Sequence, residues 1–262
     1  VYASSSNQLS NFYGNNIFNI SASSSTSPVY GYYNFAVGYN ENVYNNNVYN
    51  ITGGTGEVVG LNVRSGSAPT DKQVYGNNVY SLSGNAQVGA IYLDYGTNVL
   101  NYKNNIYNLT SNATALTPAV YGIQLGTNVG ALVNINNNFV SELKAPNNSN
   151  ANSIYGLWLL GTTSTYGKIY YNTVYLNAAT SAATFGSSAA LLGSSPFMMD
   201  VRNNIFVNVS AFAGAGRTIA LQRSTTTLAN YNSLSGNNCY YPGTPGANNL
   251  IYFDGTNSDQ TI

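Results

Sequence analysis

The chain repeats itself. Two polar residues, usually Asn-Asn, are followed by an aliphatic, an aromatic and a small polar residue, and this motif occurs eight times in 262 residues. It reads Asn15-Asn16-Ile17-Phe18-Asn19-Ile20, Asn46-Asn47-Val48-Tyr49-Asn50-Ile51, Asn77-Asn78-Val79-Tyr80-Ser81-Leu82 and Asn104-Asn105-Ile106-Tyr107-Asn108-Leu109. Weaker copies begin at Asn137-Asn138-Phe139, Asn172-Thr173-Val174, Asn203-Asn204-Ile205 and Asn237-Asn238-Cys239. Counted on the second residue of each pair, the steps are 31, 31, 27, 33, 35, 31 and 34 residues. A period of this length marks an architecture in which each repeat is one unit stacked on its neighbours.

Two further segments keep phase with the motif. A short alternating stretch precedes each Asn pair, as in Val43-Tyr44, Val74-Tyr75 and Ile169-Tyr170. Earlier still comes a Gly/Ala-aliphatic-x-aliphatic segment, as in Gly60-Leu61-Asn62-Val63, Gly122-Ile123-Gln124-Leu125 and Gly156-Leu157-Trp158-Leu159. Three β-type runs per period, separated by turn residues and with no helical periodicity, predict an all-β chain. The expected fold is a single right-handed parallel β-helix spanning 1–262, with about eight coils, three short strands per coil and Asn-rich corners. At about 4.8 Å per coil it would be a rod roughly 40 Å long.

Asn16, Asn47, Asn78, Asn105, Asn138, Asn204 and Asn238 are the expected corners. Asn tolerates positive φ better than other non-glycine residues, and stacked Asn amides can bond along a ladder. The residue after each corner (Ile17, Val48, Val79, Ile106, Phe139, Val174, Ile205, Cys239) is expected to face the core. A bend is expected near the aromatic that follows. The variable stretches 21–28, 64–72, 111–118, 144–153 and 178–188 read as loops leaving one corner. An antiparallel sandwich is disfavoured because Asp254-Gly255 is the lone Asn-Gly or Asp-Gly hairpin signal.

These repeats resemble right-handed parallel β-helix proteins, particularly the low-charge repeat regions of bacterial surface and secreted proteins. The resemblance covers nearly the whole chain. It implies the fold and leaves function open, since lyases, hydrolases, adhesins and ice binders share that architecture.

Polarity here comes from amides and hydroxyls. There are 43 Asn, while charged residues make up 6% of the chain and the net charge is zero. With no basic field, nucleic acid is not an expected partner. Zero net charge does not oppose self-association. No apolar run approaches the ~20 residues of a membrane span, and no basic-then-apolar leader stands at Val1, so the chain reads as a mature, exported protein. Cys239 is its one cysteine, which rules out an internal disulfide.

Catalytic signals are sparse. There is no His, which removes the commonest acid–base group and metal ligand. The eight acidic residues form no Asp-Asp or Asp-x-Asp pair of the kind a glycosidase would use. Asp200 with Arg202 is the best local constellation and reads as a surface ion pair; Asp94 near Lys103 is weaker. Cys239 reads as a buried thiol filling an aliphatic slot. No catalytic residue, cofactor or metal is expected. Six glycosylation sequons are no excess over composition; Asn112 and Asn147, in predicted loops, are the plausible carriers. Ice binding would need Thr arrays on consecutive coils, yet Thr162, Thr163, Thr165 and Thr225 to Thr227 fall in turns. Exposed Tyr could take glycans, or could stack as structural ladders.

The expected role is therefore a non-enzymatic extracellular structural protein that polymerises head to tail. A carbohydrate-binding adhesin or a polysaccharide-active enzyme is the alternative. Val1 and Tyr2 at one end and Leu250, Ile251, Tyr252 and Phe253 at the other are the expected assembly edges. Neither end shows a cap in the sequence, and open β-edges template further pairing.

Overall fold

A computed structural model describes residues 8–24, 26–35, 39–64, 70–161, 165–193 and 198–261. The chain winds as a parallel β-solenoid of about seven turns, each turn adding one strand to each of three sheets. Sheet A runs through seven strands, Gln8–Tyr13, Tyr39–Tyr44, Asp71–Tyr75, Asn98–Tyr102, Leu132–Asn136, Tyr166–Tyr170 and Met198–Arg202. Sheet B begins at Asn16–Ala22 and ends at Cys239–Tyr241. Sheet C begins at Val29–Asn34 and ends at Asn249–Phe253, whose outer edge pairs with Ser258–Asp259 in the one antiparallel pairing between strands. Eight motif copies thus yield about seven full turns. In the eighth, a 3-10 turn at Leu228–Asn230 stands where a sheet A strand would be, tied on by single bridges at Met199–Tyr231 and Arg202–Gly236.

Backbone conformation explains the repeat. Between sheets A and B, one residue per turn is left-handed: Gly14, Asn45, Gly76, Lys103, Asn137, Tyr171, Asn203 and Asn237, with φ between 52° and 67°. A second left-handed residue lies inside sheet B, at Asn19, Asn50, Ser81, Asn108 and Glu142. It breaks the two-residue alternation, so Val48 and Ile51 are both buried while Tyr49 between them stays partly exposed. This is the expected bend. In sheet C the backbone passes close to sheet B. A Cβ on Gly60 would lie 2.5 Å from Val79 Cγ1 and 2.8 Å from the Ala90 carbonyl oxygen, so Gly60 admits no side chain, and its column holds only glycine and alanine from Gly31 to Ala220. The core fills from all three sheets; in the second turn Val43, Val48, Ile51, Val58, Leu61 and Val63 are buried together.

The Asn pairs play two different roles, which corrects the expected register. In the first four repeats the stacked, inward-turned Asn is the first of the pair: Asn15, Asn46, Asn77 and Asn104. Asn16, Asn47, Asn78 and Asn105 instead start the sheet B strand, and the first three form a second, outer ladder, Asn47 Nδ2 donating to Asn16 Oδ1 at 2.8 Å and Asn78 Nδ2 to Asn47 Oδ1 at 2.9 Å. In the later repeats Asn138, Asn204 and Asn238 hold the ladder position, because the left-handed slot before them is itself Asn; the positive φ expected of the named corners falls on that preceding residue, and on none of the seven. The slip carries onward: Asn105 pairs with Phe139, Thr173 with Ile205, and Ile205 with Cys239. Phe139 and Ile205 are therefore on the outside, 43% and 46% exposed, and Cys239 is exposed too. Val140, Phe206 and Tyr240 take the inward position instead. The variable stretches also use two corners. Four fall on the passage from sheet B to sheet C; 64–72 stands in sequence between a sheet C strand and a sheet A strand, with 65–69 outside the described residues, and residues 71–72, 150–153 and 185–188 of these stretches are strand rather than loop.

Candidate functional site

The longest constellation in the molecule is the Asn ladder: Asn15, Asn46, Asn77, Asn104, Asn138, Asn172, Asn204 and Asn238. Each interior member is fully satisfied. Asn77 Oδ1 accepts from Asn46 N at 3.1 Å and from Asn46 Nδ2 at 2.9 Å. Asn77 Nδ2 donates to Asn104 Oδ1 at 2.9 Å and to the Val43 carbonyl at 2.9 Å. Two donors and two acceptor sites are the whole capacity of an amide side chain. The ladder has polarity, because every bond between its members runs from a donor to the Oδ1 of the following turn, while the second Nδ2 hydrogen reaches back to a carbonyl of the preceding one. Its last member, Asn238, accepts from Asn204 and donates to the Val201 carbonyl. Its first, Asn15, donates to Asn46, and among the described residues its Oδ1 receives nothing.

Two aromatic ladders flank this corner in the first four turns. On sheet A, Tyr13, Tyr44, Tyr75 and Tyr102 stack at 4.8, 4.9 and 4.8 Å between ring centroids. On sheet B, Phe18, Tyr49, Tyr80 and Tyr107 stack at 5.1, 4.9 and 4.8 Å, with ring planes within 4°. The rings spend their faces on one another and offer solvent mainly their edges.

The charged groups are dispersed. Arg202 makes a two-pronged pair with Asp200, both contacts at 2.6 Å, and Tyr170 donates to the same carboxylate. Burial opposes ionisation of Asp200, yet the bonds from Arg202 and Tyr170 prevail and hold its carboxyl below the usual range. Asp94 is not partnered by Lys103. It faces Arg64 at 3.8 Å and accepts from the backbone and side chain of Asn128. Lys72 escaped notice in the sequence. It is fully buried, donates to the Asp94 carbonyl at 2.6 Å, and sits beside Glu41, its register partner. Burial lowers its ammonium to about 8, with Glu41 and Asp94 resisting. The signal was available: Lys72 and Glu41 each stand two residues before a core valine, Val74 and Val43. Among the described residues no group of three His, Cys, Asp or Glu could hold a metal ion, and no helix is long and apolar enough to cross a membrane.

Asn112 and Asn147 are exposed. Asn208, another sequon, is buried and bonded to Ser187. Thr162 and Thr163 lie outside the described residues, and Thr165 is buried.

Val1 and Tyr2 lie outside the described residues as well. At the other end, contrary to expectation, a cap is present. Asp254 accepts from Thr256 N, Asn257 N and Asn257 Nδ2, turning the chain at the one Asp-Gly pair so that Ser258–Asp259 folds back on Tyr252 and Phe253. Leu250 is buried, and Arg217 stacks on Phe253 at 4.3 Å. Beside this hairpin, at the end of the last turn, opens a pocket of about 520 Å³, lined in part by Leu221, Arg223, Tyr231, Asn238, Tyr240 and Tyr252. No family model, curated protein or solved structure matches the chain.

Proposed function

We propose that the chain is a non-catalytic structural rod, exported to the cell surface or extracellular matrix, that associates end to end. The observation that carries this reading is the unbroken ladder from Asn15 to Asn238, which makes the corner between sheets A and B continuous along the axis. Its two termini complement each other: donors are left over at Asn238 and an acceptor at Asn15. The hairpin at 254–259 closes sheet C, so the association runs through sheet B, with Cys239–Tyr241 of one copy beneath Asn16–Ala22 of the next. A head-to-tail contact of this kind propagates without closing, and a net charge of zero does not oppose it. Export is supported by the composition, in which amides and hydroxyls replace charge.

Two arms test the proposal. Purified protein is incubated with pectin, alginate and other uronate polymers, and the native material is imaged by electron microscopy. The expected result is no cleavage, together with rods joined end to end. Cleavage that disappears in Asp200→Ala, or uniform single rods at high concentration, would overturn it.

A further inference from the structure

We propose that the pocket beside the C-terminal hairpin binds a small organic monocarboxylate with an apolar body, its carboxylate held by Arg223. The space, about 520 Å³, is within the range of small-molecule sites. Leu221, Leu228, Tyr231, Tyr240 and Ile251 give it largely apolar and aromatic walls.

Arg223 ends the strand Thr218–Arg223 and is 1% exposed. Its guanidinium donates to the Thr227 carbonyl, to Asn230 Oδ1 and, at 3.3 Å, to the Tyr252 hydroxyl, and it lies 5.6 Å from the Tyr231 ring. Every one of these partners is neutral. Among the described residues Arg223 forms no ion pair, and its buried Nε has no hydrogen-bond partner. Asp254 stands one hydroxyl away, through Tyr252, and already accepts from Asn257 and Thr256. A buried charge is costly unless compensated, and arginine cannot shed its proton. Nη2 spends both hydrogens on Thr227 and Asn230 and Nη1 one on Tyr252, so the second Nη1 hydrogen is the one left for a ligand, and a carboxylate there compensates the guanidinium charge. The exposed carboxylate of Asp259 at the rim repels a second negative charge. One carboxylate on an apolar body is therefore the chemistry that fits.

The test is calorimetric titration of the full chain with benzoate and with benzamide, its neutral isostere. A second pair of probes, a short peptide ending in Phe with a free or an amidated terminus, distinguishes a free acid from a chain terminus as the source of the carboxylate. Benzoate or the free-terminus peptide is expected to bind saturably, at least tenfold tighter than its neutral counterpart. Arg223→Gln should abolish binding, and Asp259→Asn should tighten it. If Arg223→Gln does not fold, Asp259→Asn decides. Equal affinity for acid and amide, no binding by any probe, or affinity unmoved in Asp259→Asn would overturn the proposal.

Discussion

The backbone N–H and the side-chain Nδ2 of Asn46 both donate to a single oxygen, Oδ1 of Asn77, at 3.1 and 2.9 Å. One amide thus closes the corner of its own turn and ties that turn to the next. The same pair of bonds recurs from Asn77 to Asn104 and on to Asn238. Stability along this edge depends on one side-chain type at one phase of the repeat.

Neighbouring asparagines should therefore differ sharply. Asn104→Ala strands the two donors that residue 77 sends to it, backbone N and Nδ2, and removes the Nδ2 bonds to Asn138 Oδ1 and the Val74 carbonyl, while the backbone N–H of residue 104 still donates to Asn138. At about 1–3 kcal/mol per buried unsatisfied group, the loss is expected to be on the order of 3 kcal/mol. Asn105→Ala, one residue on and outside the buried ladder, should cost under about 0.5 kcal/mol, as surface substitutions usually do. Chemical denaturation of the two variants measures the difference, and equal losses would refute the assigned register.

Tyr75 lies between Tyr44 and Tyr102 at 4.9 and 4.8 Å, whereas Tyr13 touches only Tyr44 within its stack. Aromatic pairs are worth about 0.5–1.5 kcal/mol beyond burial. Tyr75→Ala should therefore cost about twice what Tyr13→Ala costs, as read by thermal unfolding. Neither change should affect retention on a glycan column.

Lys72 imposes a pH dependence of known sign. Burial holds its folded-state pKa at about 8, below the ordinary lysine value of 10.5. Between those values the unfolded chain holds a proton that the folded chain has released, so stability rises with pH across the window. Below pH 8 both states are protonated and the burial penalty is fully present. The gain expected from pH 8 to pH 10 is on the order of 2 kcal/mol. Lys72→Met should flatten the rise, which urea titrations at successive pH values would detect. Glu41, Asp94 and Arg64 are the charged groups that act on it.

The fold was readable in the sequence because the period, the three runs and the small residue in the third run all reflect packing that repeats at every turn. The register was not. In Asn45-Asn46-Asn47 a left-handed residue, a ladder residue and a strand residue are all asparagine, so the motif does not say which is which. Lys103-Asn104-Asn105 and Asn137-Asn138-Phe139 do separate the roles, since Lys103 and Asn137 share the left-handed slot and Asn105 aligns with Phe139. Placing Phe139, Ile205 and Cys239 inside followed from aligning the doublets rather than the bend before them. The C-terminal cap had one visible mark, Asp254-Gly255, which is where the antiparallel hairpin forms. Arg223 and its cavity had none, because they are assembled from separate parts of the last two turns.

Cys239 closes a sheet B column that Asn16 opens. If copies associate through this sheet, Asn16 of one molecule follows Cys239 of another at the strand spacing of about 4.8 Å, within the Cα separation a disulfide accepts. The Asn16→Cys variant, oxidised at high concentration and run on a non-reducing gel, tests the end-to-end rod most directly. The account predicts a ladder of covalent oligomers that collapses on reduction and is absent when Cys239 is also replaced by Ser. A product that stays monomeric, or stops at a dimer linked through Cys239 alone, would contradict it.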